Sequence, residues 1–522
     1  MNDSRRRNYL YFAVFASGMT TLAVELSASR LLGNIFGTSN LVWASIIGLI
    51  LIYLTVGYFL GGWWADRSPE HRTMYSIMAW GAFLIGVVPL VANPVLRFAA
   101  NAFDGLQVGI LLGSFTAVIV LFSIPIILLG TISPFAIRLS IRTPEEAGRV
   151  SGRIYAISTL GSFIGTFLPV LLLIPLIGTT KTFIVFSEFL MIVALAGLWV
   201  SSGLRAVLPW IWMPLLILLL VVLGFGRGVK STPGQVFETE SSYNYIQVLE
   251  ADGYRYLRLN EGQGIHSVYH PNEINYYGPW KQFLSAPFFN QPPYSPEEIK
   301  NIAIVGLAGG TAARQASAVF GDIHIDGFEI DGEIIEVGRE FFDMNLANLN
   351  PVAQDGRWGL EQSQKKYDLI ILDAYRPPYI PWHLTTIEFF QLVSDRLSDR
   401  GTVGINVGRA PGDRRLIDGI VTTLQDVFPS VYVMDVPDTF NSIVFATKQP
   451  TATDNLFINL FALSEQGDVH PLLLESLQVS ALNLQPLPER SIVFTDDLAP
   501  IEWITNNMVL QFMLFGDMEI LQ

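Results

Sequence analysis

Apolar residues run on for 20 or more positions at several places in the first 230 residues, and give way to shorter, alternating patterns only beyond them. A helical run of about 20 residues crosses the roughly 30 Å of hydrocarbon in a bilayer. Seven spans are expected, near residues 9–34, 40–64, 74–96, 106–130, 152–177, 182–202 and 206–226. After the fourth, Gly130-Thr131-Ile132-Ser133-Pro134 either extends the span with a kink or begins a separate interfacial helix. Arg5-Arg6-Arg7 precede an apolar run much longer than a signal-peptide core, so no cleaved leader is expected.

Past Pro233 and Gly234 the pattern changes. Residues 245–249 and 254–259 read as strands, and Ala251-Asp252-Gly253 between them predicts a hairpin. A helical stretch is expected near 273–287. Asn301-Ile302-Ala303-Ile304-Val305 has the continuous apolar character of a buried parallel strand. It runs directly into Gly306-Leu307-Ala308-Gly309-Gly310-Thr311, and a helix is predicted over 312–320. Two further strands are read at 323–328 and 367–372. Strands alternating with helices imply a mostly parallel α/β sheet. The chain is therefore divided into a multi-span membrane domain (1–230), a small β-hairpin subdomain (231–295) and an α/β domain (296–522).

Charge follows the same division. The first 230 residues carry 15 Lys/Arg against 8 Asp/Glu, and the rest 17 against 38. Only 15% of the chain is charged and its mean hydropathy is +0.41, which excludes a wholly soluble or a disordered protein. A net charge of −14 removes the basic surface that nucleic acid requires. With no cysteine and six scattered histidines, no disulfide and no metal site is expected. Arg5, Arg6, Arg7, Arg67, Arg72, Arg138, Arg142, Arg149, Arg153 and Arg205 fall on one side of the predicted spans. Arg97, Lys181, Arg227 and Lys230 fall on the other. The positive-inside rule then places the N-terminus in the cytoplasm. The number of spans decides the side of the acidic half: seven put it outside, and an error of one reverses this.

Charged residues inside the spans are few: Glu25 and Arg30 in the first, and Glu188 in the sixth. They read as an internal ion pair, as snorkelling side chains or as part of a substrate path. Gly61-Gly62-Trp63-Trp64-Ala65-Asp66-Arg67 resembles the loop after the second helix of major-facilitator transporters, but no second half of such a transporter follows.

The candidate chemistry lies in the α/β half. A strand, a glycine-rich turn and a helix N-terminus form a nucleotide-binding corner, where free backbone N–H groups are expected to face the ligand. Glu329 and Asp331 end the next strand, about 20 residues on, where an acid suits a ribose diol. Asp355-Gly356 follows a possible third strand, and Asp373 ends the apolar strand at 367–372. Each acid alone reads equally well as a helix cap. In this order they line the carboxyl edge of an open sheet, where ligands bind.

These residues resemble the successive motifs of the spermidine/spermine synthases, which are aminopropyltransferases. The resemblance covers about 236–450 and includes the hairpin. The whole chain looks like bacterial membrane proteins in which such a domain follows a multi-span region. His383-Leu384-Thr385-Thr386 and Thr495-Asp496-Asp497-Leu498-Ala499-Pro500 look like features of that fused group. The resemblance implies a Rossmann-like class I S-adenosylmethionine-dependent methyltransferase fold with a small N-terminal β subdomain. It implies decarboxylated S-adenosylmethionine, or S-adenosylmethionine itself, as co-substrate and no metal.

By the same resemblance, Gly306, Gly309 and Gly310 would hold the methionine-derived tail, and Glu329, with Asp331, the ribose. Asp355, with Gly356, would hold the adenine, and Asp373 would be the base. Tyr276, Arg376 and His383 would meet the acceptor. Two positions depart from the family: Ala308 stands where it usually carries an Asp, and Arg376 aligns with a second acid. A cation at 376 repels a diamine by roughly 4 kcal/mol at 4 Å and intermediate dielectric, and favours an acceptor or donor bearing a carboxylate.

Three readings follow. One is a membrane-anchored transferase of the bacterial inner membrane, acting on an amine or other small acceptor. Another is a catalytically silent binding or assembly module. The last is a transporter with a nucleotide-binding regulatory domain. The lipid bilayer is the expected partner. A homo-oligomer or a membrane complex stays open.

Overall fold

The computed structural model describes residues 3–36, 40–103, 109–223, 232–241, 243–260, 264–321, 323–374, 380–410, 412–505 and 507–508. The chain divides into two compact units, Met1–Thr232 with Glu238–Tyr245, and Pro233–Phe237 with Ile246–Gln522.

In the first unit, seven described helical segments are long and apolar enough to cross a membrane. They are Arg6–Gly33, Val42–Arg67, His71–Ala92, Gly113–Ser140, Pro144–Ile177, Thr179–Ser202 and Leu204–Val222. At Gly130 the chain takes the first of its two expected courses: helices Gly109–Gly130 and Ile132–Ser140 are joined through Thr131, whose backbone is itself helical (φ −69°, ψ −22°), so one span runs on from Gly113 to Ser140 with an interruption at Thr131. Pro134 explains the break, since its ring clashes with the carbonyl four residues earlier and it has no N–H to donate. Helix Ala147–Leu168 meets helix Asp3–Phe36 at backbone contact. A Cβ on Gly161 or Gly165 would lie 2.1 or 2.0 Å from the carbonyl oxygens of Phe15 and Met19. Small residues four apart permit this close crossing. In the sixth span, Glu188 keeps one carboxylate oxygen buried and without a hydrogen-bond partner among the described residues.

Beyond the helices the chain carries two sheets. Strands β1 (Gln235–Glu240), β2 (Tyr245–Ala251), β3 (Tyr254–Leu259) and β4 (Ser267–Tyr269) form a four-stranded sheet in that order. β2 and β3 make the expected hairpin, with Ala251 opposite Tyr254 across a two-residue turn. Asp252 and Gly253 both have positive φ, at 53° and 84°, the turn geometry that matches strand twist.

The larger sheet contains β5 (Asn301–Val305), β6 (His324–Glu329), β7 (Leu349–Ala353), β8 (Tyr367–Leu372), β9 (Leu397–Gly408), β10 (Ser430–Asp435), β11 (Asn441–Thr447) and β12 (Leu484–Gln485). Their order is β12-β10-β11-β9-β8-β5-β6-β7. β5 to β9 are mutually parallel, and β11 runs antiparallel between β9 and β10. A reversed strand slotted into a doubly wound parallel sheet is the class I methyltransferase arrangement.

Strand residues alternate between two cores. Ile302, Ile304, Leu369 and Ile371 join Phe283, Phe288 and Phe289 on one face. Ala303, Val305, Ile370 and Leu372 join Phe389, Ile417 and Ile420 on the other. Burial on both faces explains why these strands read as unbroken apolar runs. The helical stretch expected at 273–287 is instead a 3-10 helix at Trp280–Phe289. Pro279 fixes its start, and Gly278 before it has φ 136°, which no helix accommodates.

Candidate active site

β5, β6 and β8 lie side by side, so the segments that leave their carboxyl ends meet at one edge of the sheet. Gly306 has φ 87°, and a Cβ there would stand 2.5 Å from both the Ala374 nitrogen and the Asp373 carbonyl oxygen. Only glycine lets the chain turn so close beneath β8. Gly310, at φ 82°, is the N-cap of helix Thr311–Phe320. Between them Ala308 holds φ 47°, a left-handed conformation that costs a Cβ-bearing residue about 1 kcal/mol.

The expectation of free N–H groups in this turn is corrected. The amides of Gly306 and Leu307 donate to the Phe328 carbonyl at 2.9 and 3.2 Å, and that of Gly310 to Leu307 at 3.0 Å. The Ala308 amide donates to Glu329 Oε2 at 3.0 Å, and the Gly309 amide to Ser267 Oγ at 2.8 Å. β4 then clasps the helix start: Thr311 Oγ1 donates to the Val268 carbonyl and accepts from the Val268 amide, both at 2.9 Å.

Glu329, 7% exposed, also accepts from the Asp331 amide at 3.2 Å. Burial outweighs both amides and pushes its carboxyl up to about 7. Asp331 is the N-cap of helix Gly332–Phe341, accepting from the Glu333 amide at 3.2 Å. Asp355 likewise caps helix Gly356–Gln362 through the Trp358 amide, and its second oxygen lies 2.9 Å from His383 Nε2. That histidine, together with the cap, holds the Asp355 carboxyl below the usual range against burial. A Cβ on Gly356 would reach within 2.3 Å of Val305 Cγ1, so this helix start packs directly on β5.

Asp373 follows β8, its amide donating to the Val305 carbonyl at 2.8 Å. Among the described residues one side-chain donor meets it, Asn406 Nδ2 on β9 at 2.9 Å. Asn406 in turn accepts from Asn441 Nδ2 on β11 at 2.8 Å. Burial dominates over this single bond and raises the Asp373 carboxyl to about 7. A carboxylate near neutrality is a better proton acceptor than an ordinary one.

Tyr276 is 3% exposed, and its hydroxyl is already engaged, donating to the Glu273 carbonyl and accepting from the His270 amide. Arg376 lies outside the described residues. Sequence reasoning passed over Asn406 and Asn441. Asn406 and Asn441 were visible only as single polar positions in apolar strands.

Residues 288–457 match the spermine/spermidine synthase domain family. The chain is 28% identical over 280 residues to a probable polyamine aminopropyl transferase of Bifidobacterium longum, covering 51% of this chain and 61% of that protein. It is 25% identical over 284 residues to a polyamine aminopropyltransferase of Vibrio vulnificus, covering 51% and 89%. It thus spans less than two thirds of the first of these relatives. Among solved structures, it is similar to a probable spermidine synthase from Corynebacterium glutamicum, at 17% identity and TM-score 0.39, over 50% of this chain and all of that one. It is also similar to a spermidine synthase in complex with the transition-state analogue AdoDATO, at 18% and 0.36, over 47% and 88%.

Proposed function

We propose, from the spermine/spermidine synthase domain carried in the C-terminal half, that this protein is a membrane-anchored transferase of aminopropyltransferase type. Its donor is a sulfonium derivative of S-adenosylmethionine, with Glu329 at the ribose and Asp355 at the adenine. Asp373 holds the acceptor amine and takes its proton as the nitrogen attacks the carbon next to sulfur. The C–S bond breaks, the sulfonium electron pair returns to sulfur, and the thioether nucleoside leaves. Alignment of nitrogen, carbon and sulfur supplies much of the rate. The membrane is the bacterial inner membrane, with the N-terminus in the cytoplasm.

The observation that carries this reading is Asp373 itself. It is half-buried at the sheet edge, lifted to about 7 by burial and met by one side-chain donor among the described residues. A capping or structural acid is ordinarily saturated with donors. A second reading, a silent binding module, is favoured by Ala308, which leaves the glycine turn without a carboxylate for the donor's ammonium group.

The test is turnover of full-length protein in nanodiscs, supplied with decarboxylated or intact S-adenosylmethionine and a panel of amines, and read as release of 5′-methylthioadenosine. Asp373→Asn is expected to cut turnover by roughly 10²–10⁴ while leaving nucleoside affinity within a few-fold. Unchanged turnover rejects the base. Nucleoside binding with no turnover in the unmutated protein supports the silent module.

A further inference from the structure

Two segments remain outside this chemistry: residues 383–386, which lead into helix Ile387–Arg396, and residues 494–500 near the C-terminus. The structure joins them. Phe494 is fully buried, its amide donating to Thr423 Oγ1 at 2.9 Å and its carbonyl accepting from the Ile387 amide at 2.8 Å. Two residues on, the Asp496 amide donates to Glu388 Oε2 at 3.0 Å. The backbone of this tail is therefore fixed on helices Ile387–Arg396 and Arg415–Gln425 before its side chains act.

The Asp496 carboxylate takes both arms of Arg357. NH1 reaches Oδ1 at 2.8 Å and NH2 reaches Oδ2 at 2.7 Å. The Thr386 hydroxyl adds a third bond, to Oδ1, at 2.7 Å. Arg357 NH1 also donates to the His383 carbonyl at 3.1 Å. His383 presents its Nε2 to Asp355, two residues before Arg357 in the chain. A part-exposed ion pair adds little stability. A two-pronged guanidinium–carboxylate pair does fix direction, because its planar fork tolerates one geometry. What it fixes here is the loop that carries His383.

We propose that Asp496 and Arg357 are positioning residues that hold His383 against Asp355 and so set the purine-edge selectivity of the nucleoside site. The proposal rests on the reading of Asp355 as the acceptor of the adenine amino group. With one Asp355 oxygen tied to the helix start and the other to His383, the carboxylate is held in one orientation and presents only its remaining acceptor lone pairs to a base. An exocyclic amine satisfies it, whereas an exocyclic oxygen repels it. Released from Arg357, the His383 loop lets the carboxylate turn and the distinction weakens.

The experiment compares calorimetric affinities of full-length protein in nanodiscs for 5′-methylthioadenosine and 5′-methylthioinosine. The unmutated protein is expected to prefer the amino compound at least tenfold. Asp496→Asn, which keeps the shape, and Arg357→Lys, which cannot make both prongs and the carbonyl bond, should each compress that preference threefold or more, with melting temperature nearly unchanged. Asp497→Asn, at the exposed neighbouring position, should leave it intact. Full selectivity in both variants overturns the proposal alone, as does lowered melting temperature with selectivity retained. An unmutated protein that binds neither nucleoside overturns the adenosyl reading and the proposal with it.

Discussion

Two acids of one sheet, Asp326 buried within a strand and Asp373 half-buried just past a strand end, are treated in opposite ways. Asp326, in the third position of β6, receives Asn350 Nδ2 at 2.8 Å, Lys365 Nζ at 2.8 Å and the Tyr367 hydroxyl at 2.9 Å. His324 Nε2 lies 3.0 Å away. Burial alone would raise its carboxyl, but these partners outweigh burial and hold it at about 2. Asp373, at the carboxyl edge, has one side-chain donor among the described residues and sits at about 7. Partner number separates a carboxylate that braces strands from one left able to accept a proton. The contrast also explains why a strongly shifted group is not by itself a site.

The sharpest way to break this contrast is to remove the braced acid. Asp326→Asn leaves Lys365 and Tyr367 facing an amide, and should cost roughly 2–4 kcal/mol of stability. Calorimetric unfolding should show the loss while turnover per folded molecule stays unchanged. A fall in turnover without a fall in stability would place Asp326 in the chemistry.

The two acids should also part company with pH. The folded-state carboxyl of Asp326 lies below its ordinary value of 3.8, so its stabilisation is present above that value and disappears as pH falls towards 2. Asp373 is raised, so its active, ionised form is lost as pH falls through about 7. Turnover should therefore decline between pH 8 and 6 while the melting temperature holds, and acid unfolding should follow only several units lower. Coincident loss of both would erase the distinction.

The smallest effect is expected at Asn406. Asn406→Ala removes the donor that lowers Asp373, so the acid limb of the pH–rate profile should move upward, with a loss of up to about tenfold at pH 7. An unmoved profile would mean that Asn406 only fills space.

Much of this was legible in the chain. The long apolar helices declared themselves by length, the hairpin by Asp252-Gly253, and the strand–turn–helix corner by a strand running into glycines. Glu329, Asp355 and Asp373 were visible because strand-end positions are predictable once the strands are. What stayed hidden depended on partners distant in sequence. Asn441 lies 35 residues from Asn406 and Asp496 lies 139 from Arg357, so no local pattern links them. The turn's N–H groups looked free because their acceptors, on Phe328 and Ser267, belong to other strands. The stretch at 273–287 misled because its apolar residues suit a helix while its prolines and glycine forbid one.

The clasp of Val268 on Thr311 bears on how the gene can be cut. A fragment beginning after β4 would strip the Gly309 amide and the Thr311 hydroxyl of their acceptors and donor together, opening the glycine corner to water. β4 and the glycine corner therefore stand or fall together, and any piece of the chain meant to keep that corner intact must start upstream of β4.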